Sequence, residues 1–297
     1  MEQLKFIGKN LTKEKLEQAE TKVLDDIIIS GEWYKEGELE KTEFEKEMIL
    51  LADVILENEF ERLNLNYNHF IPDEHIHIIS DKFAKEDLPT QASAVFDSYE
   101  QQICAVRREN ESKIKFFHDL LHEMVHSVSH IKYEILEDDI KNYRTGYALK
   151  NHKDNIKYLE SFNEALTEDL TQSLLFKNRQ VLYDTFNIKK LGIPNSYSKD
   201  NMIIDNIVIG LSDNSKIPEH LIRDRFYKGL FTGDMMHLRE IDKVFGEGSL
   251  RLLAFLDAHE ETELVHTLYR KYFDLKYSDE ERYNYAEQIL KLLTKGN

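Results

Sequence analysis

The chain has 297 residues, enough for one large domain or two modest ones with ample core. Its 41% hydrophobic and 32% charged content reads as globular, and a net charge of −17 argues against nucleic acid as the main partner, since phosphate binding needs a basic surface. The single cysteine, Cys104, excludes an internal disulfide and a cysteine-rich metal site.

The first ten residues contain no apolar stretch of signal-peptide length. The longest apolar run, 48–56, is interrupted by Asp53 and is too short to span a bilayer. A cytoplasmic location without a membrane partner is the expectation. Residues 11–29 and 42–64 carry apolar side chains at helical spacing, Leu16 and Val23 in the first, Phe44, Met48, Leu51, Ile55 and Phe60 in the second. Thr42 and Glu45 offer a capping box for the second helix.

After Pro72 the pattern changes to alternation over residues 75–79, as in a strand. His75 and His77 would share one face there; they form a metal pair in principle but are expected as surface residues of that strand. Residues 92–96 and 102–106 are further strands joined by a turn at 97–101, with Cys104 as a small core residue. A small, mostly antiparallel sheet is thus predicted to lead directly into residues 116–130.

That stretch contains His122-Glu123-Met124-Val125-His126, an H-E-x-x-H motif. Histidines four apart on a helix project from one face and can hold one ion. Glu123 points about 100° round the axis, close enough to reach a water on that ion without occupying a coordination site. This is the arrangement of a zinc hydrolase with Glu123 as general base. The flanking Leu120, Leu121, Met124, Val125 and Val128 suit a helix sunk in a core, and Asn110 or Ser112 could cap its start. His118 and His130 continue the spacing of four. His118 with His122 would place Asp119 in the base position, but aspartate is one methylene shorter, so the 122/126 pair is preferred. His118 and His130 are expected to be partly exposed or to support the site from outside the ligand shell.

Beyond the helix, residues 131–136 and 143–149 look extended, around an acidic turn at 137–139. Gly146, flanked by donors, could approach a substrate or form a bulge. Phe162, Ala165, Leu166, Leu170 and Leu174 then mark an amphipathic helix carrying Glu164 and Glu168 on one face. A random glutamate pair would be ordinary solvated charge. A catalytic zinc takes three protein ligands and keeps an open position, and two histidines with one glutamate is a known set. Glu168 could orient a ligand histidine by accepting its other N–H.

Taken together, His122-Glu123-x-x-His126 followed by Asn163-Glu164-Ala165-x-x-Glu168 resembles the active-site helices of the gluzincin metallopeptidases, the thermolysin-like group. The resemblance covers about 55 residues well, and roughly 100 with the preceding strands. It implies one Zn2+ per chain held by His122, His126 and Glu164, with Glu123 as base and Glu168 as the orienting carboxylate; a glutamate there in place of aspartate is a departure. It also implies that an edge strand binds substrate backbone, the run 102–106 or its hairpin partner being the candidate. A transition-state donor has no motif; Tyr147, Arg144, His220 and His237 are eligible. The metzincin extension would need glycine and histidine where Ser129 and Lys132 stand, and the aspartate-bearing Gly-Thr segment of the aspartate-ligated group is not found.

Residues 202–211, 221–230, 235–245, 249–256, 265–273 and 278–293 read as successive helices, the last opened by a capping box of Ser278 and Glu281. The expected protein is therefore α+β and zincin-like: an N-terminal helical segment (1–70), a catalytic core (71–186) and a helical C-terminal lobe (187–297). Its expected activity is zinc-dependent hydrolysis of peptide bonds in a protein or peptide substrate. The alternatives are a zinc-binding regulatory protein of the same fold without turnover, or a helical interaction protein in which the motif is fortuitous.

Overall fold

The computed structural model describes residues 4–8, 12–29, 34–67, 73–88, 92–136, 140–153, 155–188, 198–256 and 263–295. Pro72 and the acidic turn at 137–139 lie outside the described residues. The protein is α+β, with mixed sheets and a helical C-terminal region. In chain order the elements are β1 (Leu4–Gly8), α1 (Lys13–Ile29), β2 (Glu38–Leu39), α2 (Glu43–Arg62), β3 (Ile76–Ser80), α3 (Asp81–Asp87), β4 (Ala94–Asp97), β5 (Gln102–Arg107) and α4 (Lys113–Ser127). They continue with β6 (Ile131–Ile135), β7 (Ile140–Thr145), β8 (Ala148–Asn151), β9 (Ile156–Tyr158), α5 (Glu160–Lys177) and α6 (Arg179–Phe186). Six helices follow: α7 (Ser198–Ser215), α8 (Glu219–Thr232), α9 (Glu240–Phe245), α10 (Ser249–Ala254), α11 (Glu263–Tyr272) and α12 (Asp279–Lys295). No described helix is long and apolar enough to cross a membrane.

Two compact units divide the chain, and neither is a single stretch. The first takes Met1–Asn142 and Leu170–Pro194, the second Tyr143–Asp169 and Asn195–Asn297. The division passes through β7 and through α5, which is one continuous helix.

In the first unit a four-stranded sheet has the order β2-β3-β5-β4. β2 and β4 pair antiparallel with their neighbours, but β3 and β5 run parallel. The expected mostly antiparallel sheet is thus a mixed one. Parallel neighbours need a crossover, and α3 supplies part of it. Ser80 caps this helix, its Oγ accepting from Phe83 N at 3.3 Å. β3 and β5 are buried on both faces: Ile76, Ile78, Ile79, Ile103, Ala105 and Val106 are all at most 1% exposed. On one side Tyr34, Ala84 and Leu88 pack with Ile79, Cys104 and Val106.

That layer corrects the expectation for His77. Instead of lying on the surface it is buried, its ring 3.8 Å from that of Tyr34 and its Nδ1 2.7 Å from Glu38 Oε1. His75 falls in the 3-10 turn before β3 and does not share its face. The expected capping box at the start of α2 is present: Glu45 N donates to Thr42 Oγ1 at 3.2 Å, and Thr42 N donates to Glu45 Oε2 at 2.7 Å. Arg107, at the end of β5, donates to the same carboxylate at 2.6 and 2.8 Å, fixing α2 to the sheet.

α4 packs against β4, β5 and α2. Ser112 caps it, Lys115 N donating to Ser112 Oγ at 3.3 Å. Phe117, Leu120, Leu121 and Val125 are fully buried. Such burial contributes about 1.5–3 kcal/mol for each large apolar side chain. The apolar side of this amphipathic helix is thus turned into the core formed with β4, β5 and α2. Elsewhere in the unit β1 pairs parallel with β6, and Tyr133 and Val23 share a small apolar cluster with Ile131.

The second unit begins with the antiparallel meander β7-β8-β9. The stretch 143–149, expected as one extended segment, is a hairpin that turns at Gly146 and Tyr147. Gly146 has φ +57°, and a Cβ there would lie 2.3 Å from Asn163 Oδ1, so both backbone and space demand glycine. The predicted C-terminal helices are present, except that 235–245 is a 3-10 turn at Met236–Arg239 followed by α9; α7 packs on α8, α9 and α11, and α11 packs on α12. Ser278 and Glu281 form the expected cap, Ser278 N donating to Glu281 Oε2 at 2.8 Å and Glu281 N to Ser278 Oγ at 3.3 Å. Within the unit Asp169 accepts from Arg223 Nη1 with both oxygens at 2.6 Å and from Tyr227 at 2.6 Å, anchoring α5 to α8.

Candidate metal centre

His122 and His126 occupy successive turns of α4 and are buried, at 6% and 7% exposure. Burial removes the competition of bulk water for their ring nitrogens. Their Nε2 atoms lie 3.2 Å apart, and the rings meet edge to face at 70°. Two nitrogens each 2.0–2.1 Å from a common centre in a tetrahedral shell are about 3.3 Å apart, so the pair already has the spacing that zinc requires. The same distance also suits an N–H···N hydrogen bond between the two rings.

Glu164, half-buried on the second turn of α5, completes the group. One ligand atom from each of His122, His126 and Glu164 lies within 4.8 Å of the others, and among the described residues no other set of three such side chains converges in this way. The donor set fits zinc: two neutral imidazoles and one carboxylate, with a coordination position left over. Glu168, one turn beyond Glu164, is fully buried, whereas a solvated helix charge would be exposed.

Glu123 is half-buried, and its Oε2 accepts a hydrogen bond from the backbone N–H of Phe96 at 2.9 Å. Phe96 lies on β4, the edge of the sheet, and its non-hydrogen-bonded pairing with Ile103 turns its N–H away from β5. The strand next to α4 thereby aims the carboxylate. Sequence reasoning missed this partner, because a backbone amide carries no residue signature. Of the two candidate strands for holding a substrate backbone, the hairpin partner β4 is the edge; 102–106 lies inside the sheet.

His118 and His130 are buried, at 2% and 8% exposure, which overturns partial exposure and leaves a supporting place outside the ligand shell as the other expectation. His118 lies on α4 next to the fully buried Phe117, and His130 lies between the end of α4 and β6. The His118 Nδ1 atom lies 2.9 Å from Asp119 Oδ1. Burial opposes charge on Asp119, but His118 and Lys115 outweigh it and hold the carboxyl below its ordinary range.

The four residues eligible as transition-state donor have distinct settings. Tyr147 is fully buried in the second unit, its hydroxyl donating to the Phe226 carbonyl at 2.9 Å and meeting His237 Nε2 at 2.7 Å. A phenol has one proton, so for both bonds to form His237 must carry its own on Nε2. Burial pushes the Tyr147 pKa well up and that of His237 down, so both groups are held neutral. Arg144 is buried, its Nε donating to Gly146 O at 2.6 Å and its Nη1 to Gly233 O at 2.9 Å. These two side chains thus hold the β7–β8 hairpin on the helices of the second unit. His220 is exposed on the first turn of α8.

Asn163, which precedes Glu164, is 1% exposed, and its Oδ1 accepts from Tyr147 N at 2.8 Å. It fixes the hairpin to the turn of α5 that bears Glu164. Comparisons of the chain with known protein families, with curated proteins and with solved structures give no match.

Proposed function

We propose that the protein is a zinc-dependent peptidase of the gluzincin type, zincin-like in fold, acting on protein or peptide substrates. The observation that carries this reading is the convergence of His122, His126 and Glu164 from two separate helices, with Glu123 between the histidines on α4.

A bound zinc would be held by those three side chains and would supply Lewis acidity, making a water acidic near neutral pH and polarising a scissile carbonyl. The remaining work falls to the protein. Glu123, steadied by Phe96 N–H, takes a proton from the attacking water and delivers it to the leaving amine. The imidazoles of His122 and His126 would offer their Nε2 lone pairs to the metal, and Glu168 is suited to accept the outer N–H of a ligand histidine. β4, with an outward-facing backbone, is suited to align an extended substrate beside the base.

Protein purified without added metal should contain close to one zinc per chain. Glu123→Gln should keep that zinc and lose peptide hydrolysis, and comparing new chain termini produced in a proteome by the two proteins would identify substrates. Metal-free protein of unchanged stability, or a Glu123→Gln variant as active as wild type, overturns the reading.

A further inference from the structure

Away from the histidines, the second unit contains a cavity of about 830 Å3 between the α9–α10 corner and α12. That volume falls within the range of small-molecule sites, roughly 300–1,000 Å3. Its walls are apolar, formed by Phe245, Leu252, Phe255, Ala286 and Leu290, with Tyr283 at the rim. Tyr283 and Leu290 are 65% and 53% exposed, unusual for large side chains that face a concave surface. The corner is open because Gly246 and Gly248, both at positive φ, have nothing within 4 Å of where a Cβ would stand.

Charged side chains break the apolar lining: the guanidinium groups of Arg251 and Arg282, with Lys243, Glu247 and Asp279. Arg282 is 11% exposed, lies over the Phe245 ring, and donates from Nη2 to Asp279 at 2.5 Å. Asp279 is 94% exposed, and ion pairs with so solvated a partner are weak. Arg282 Nε is shielded from solvent and has no hydrogen-bond partner among the described residues. Arg251, on the facing wall, stacks over Phe255 and has no carboxylate partner among the described residues.

We propose that this cavity binds an anionic amphiphile with one carboxylate, a free fatty acid or a close analogue. The carboxylate would sit between Arg251 and Arg282, and the hydrocarbon would lie along Leu252, Phe255, Ala286 and Leu290. A planar guanidinium matches a carboxylate with two parallel donors. Glu247 and Asp279 also line the cavity and oppose a second negative charge, which selects a monoanion over a phosphate.

Calorimetric titration of the full chain with dodecanoate, below its micellar concentration, tests the site. One equivalent should bind, and 1-dodecanol should bind at least tenfold more weakly. Arg251→Gln should weaken dodecanoate at least fivefold without affecting dodecanol. Ala286→Trp, which fills the cavity from the exposed side of α12, should abolish binding of both. The melting temperature of each unliganded variant should stay near that of wild type, which separates loss of the site from loss of the fold. No dodecanoate binding, many equivalents per chain, equal affinity for the alcohol, or binding unchanged by Ala286→Trp overturns the proposal. So does tighter binding of an apolar tripeptide with a free carboxyl terminus, which would make the cavity a peptide site.

Discussion

The backbone N–H of Phe96 and the Oε2 of Glu123 are 2.9 Å apart, so the edge strand of the sheet holds the carboxylate that stands between two convergent histidines. Because that N–H faces away from β5, proline at position 96 removes this bond and spares the ladder. Phe96→Pro is expected to retain metal and fold while lowering kcat about 10–100-fold, the scale of a base displaced by about 1 Å. Phe96→Leu keeps the amide and should retain most activity. Steady-state kinetics with metal analysis on both variants checks this, and equal loss in the two would show that the ring, rather than the amide, matters.

The two glutamates of α5 should separate by what they do to metal. In the proposed zinc site, removing Glu164 would leave two protein ligands, so Glu164→Ala should lose zinc during dialysis against a mild chelator under conditions in which wild type retains it. Glu168→Gln preserves volume in a fully buried position but removes the charge that would orient a histidine. Loss of such support typically lowers metal affinity about 10–100-fold. Competition titration with a chromophoric chelator measures both. An unchanged affinity in Glu168→Gln would mean that the residue only fills the core.

What was legible in the sequence follows from how local each signal is. α4 and its cap at Ser112 were readable because periodicity and capping involve neighbours along the chain. The Glu164–Glu168 spacing was readable for the same reason. α3 was missed: seven residues with two apolar side chains offer no period, and its existence decides that β3 and β5 are parallel. The burial of His77 depends on Tyr34 closing over it, 43 positions earlier in the chain, and alternation within a strand cannot report which face is covered. The pairing of Asn163 with the Tyr147 amide is likewise a tertiary event. Local chemistry therefore announced the candidate metal ligands, while the groups around them were assembled by the fold.

His77 gives a pH prediction. Burial, only partly offset by the Glu38 carboxylate, keeps its pKa below the ordinary histidine value. As pH falls below about 6.5 the unfolded chain takes up a proton that the folded chain still refuses, so folding stability declines until the folded pKa is passed. One such group contributes a slope of at most about 1.4 kcal/mol per pH unit. His77→Phe keeps an aromatic ring against Tyr34 and should flatten the decline between pH 6.5 and 5. Urea unfolding of both proteins at several pH values measures it, and parallel curves would remove His77 as the cause.

The Gly146–Asn163 contact predicts a coupled effect on stability. Gly146→Ala meets two obstacles, a left-handed φ of +57° and a Cβ 2.3 Å from Asn163 Oδ1. The first alone costs about 1–2 kcal/mol, and the second forces Asn163 to move and release the Tyr147 amide it accepts from. Asn163→Ala leaves that buried N–H without its acceptor, at about 1–3 kcal/mol. With Asn163 truncated, the Cβ at position 146 loses its nearest obstacle, so the double variant should be less destabilised than the sum of the two singles. A double-mutant cycle by denaturant titration reads the difference directly, since residues in contact commonly couple by about 0.5–3 kcal/mol. Strict additivity would mean that the clash is relieved elsewhere and that Asn163 does not hold the turn. Because Asn163 immediately precedes Glu164, the same variants should also weaken zinc retention if that turn sets the position of the carboxylate, and leave it unchanged if it does not.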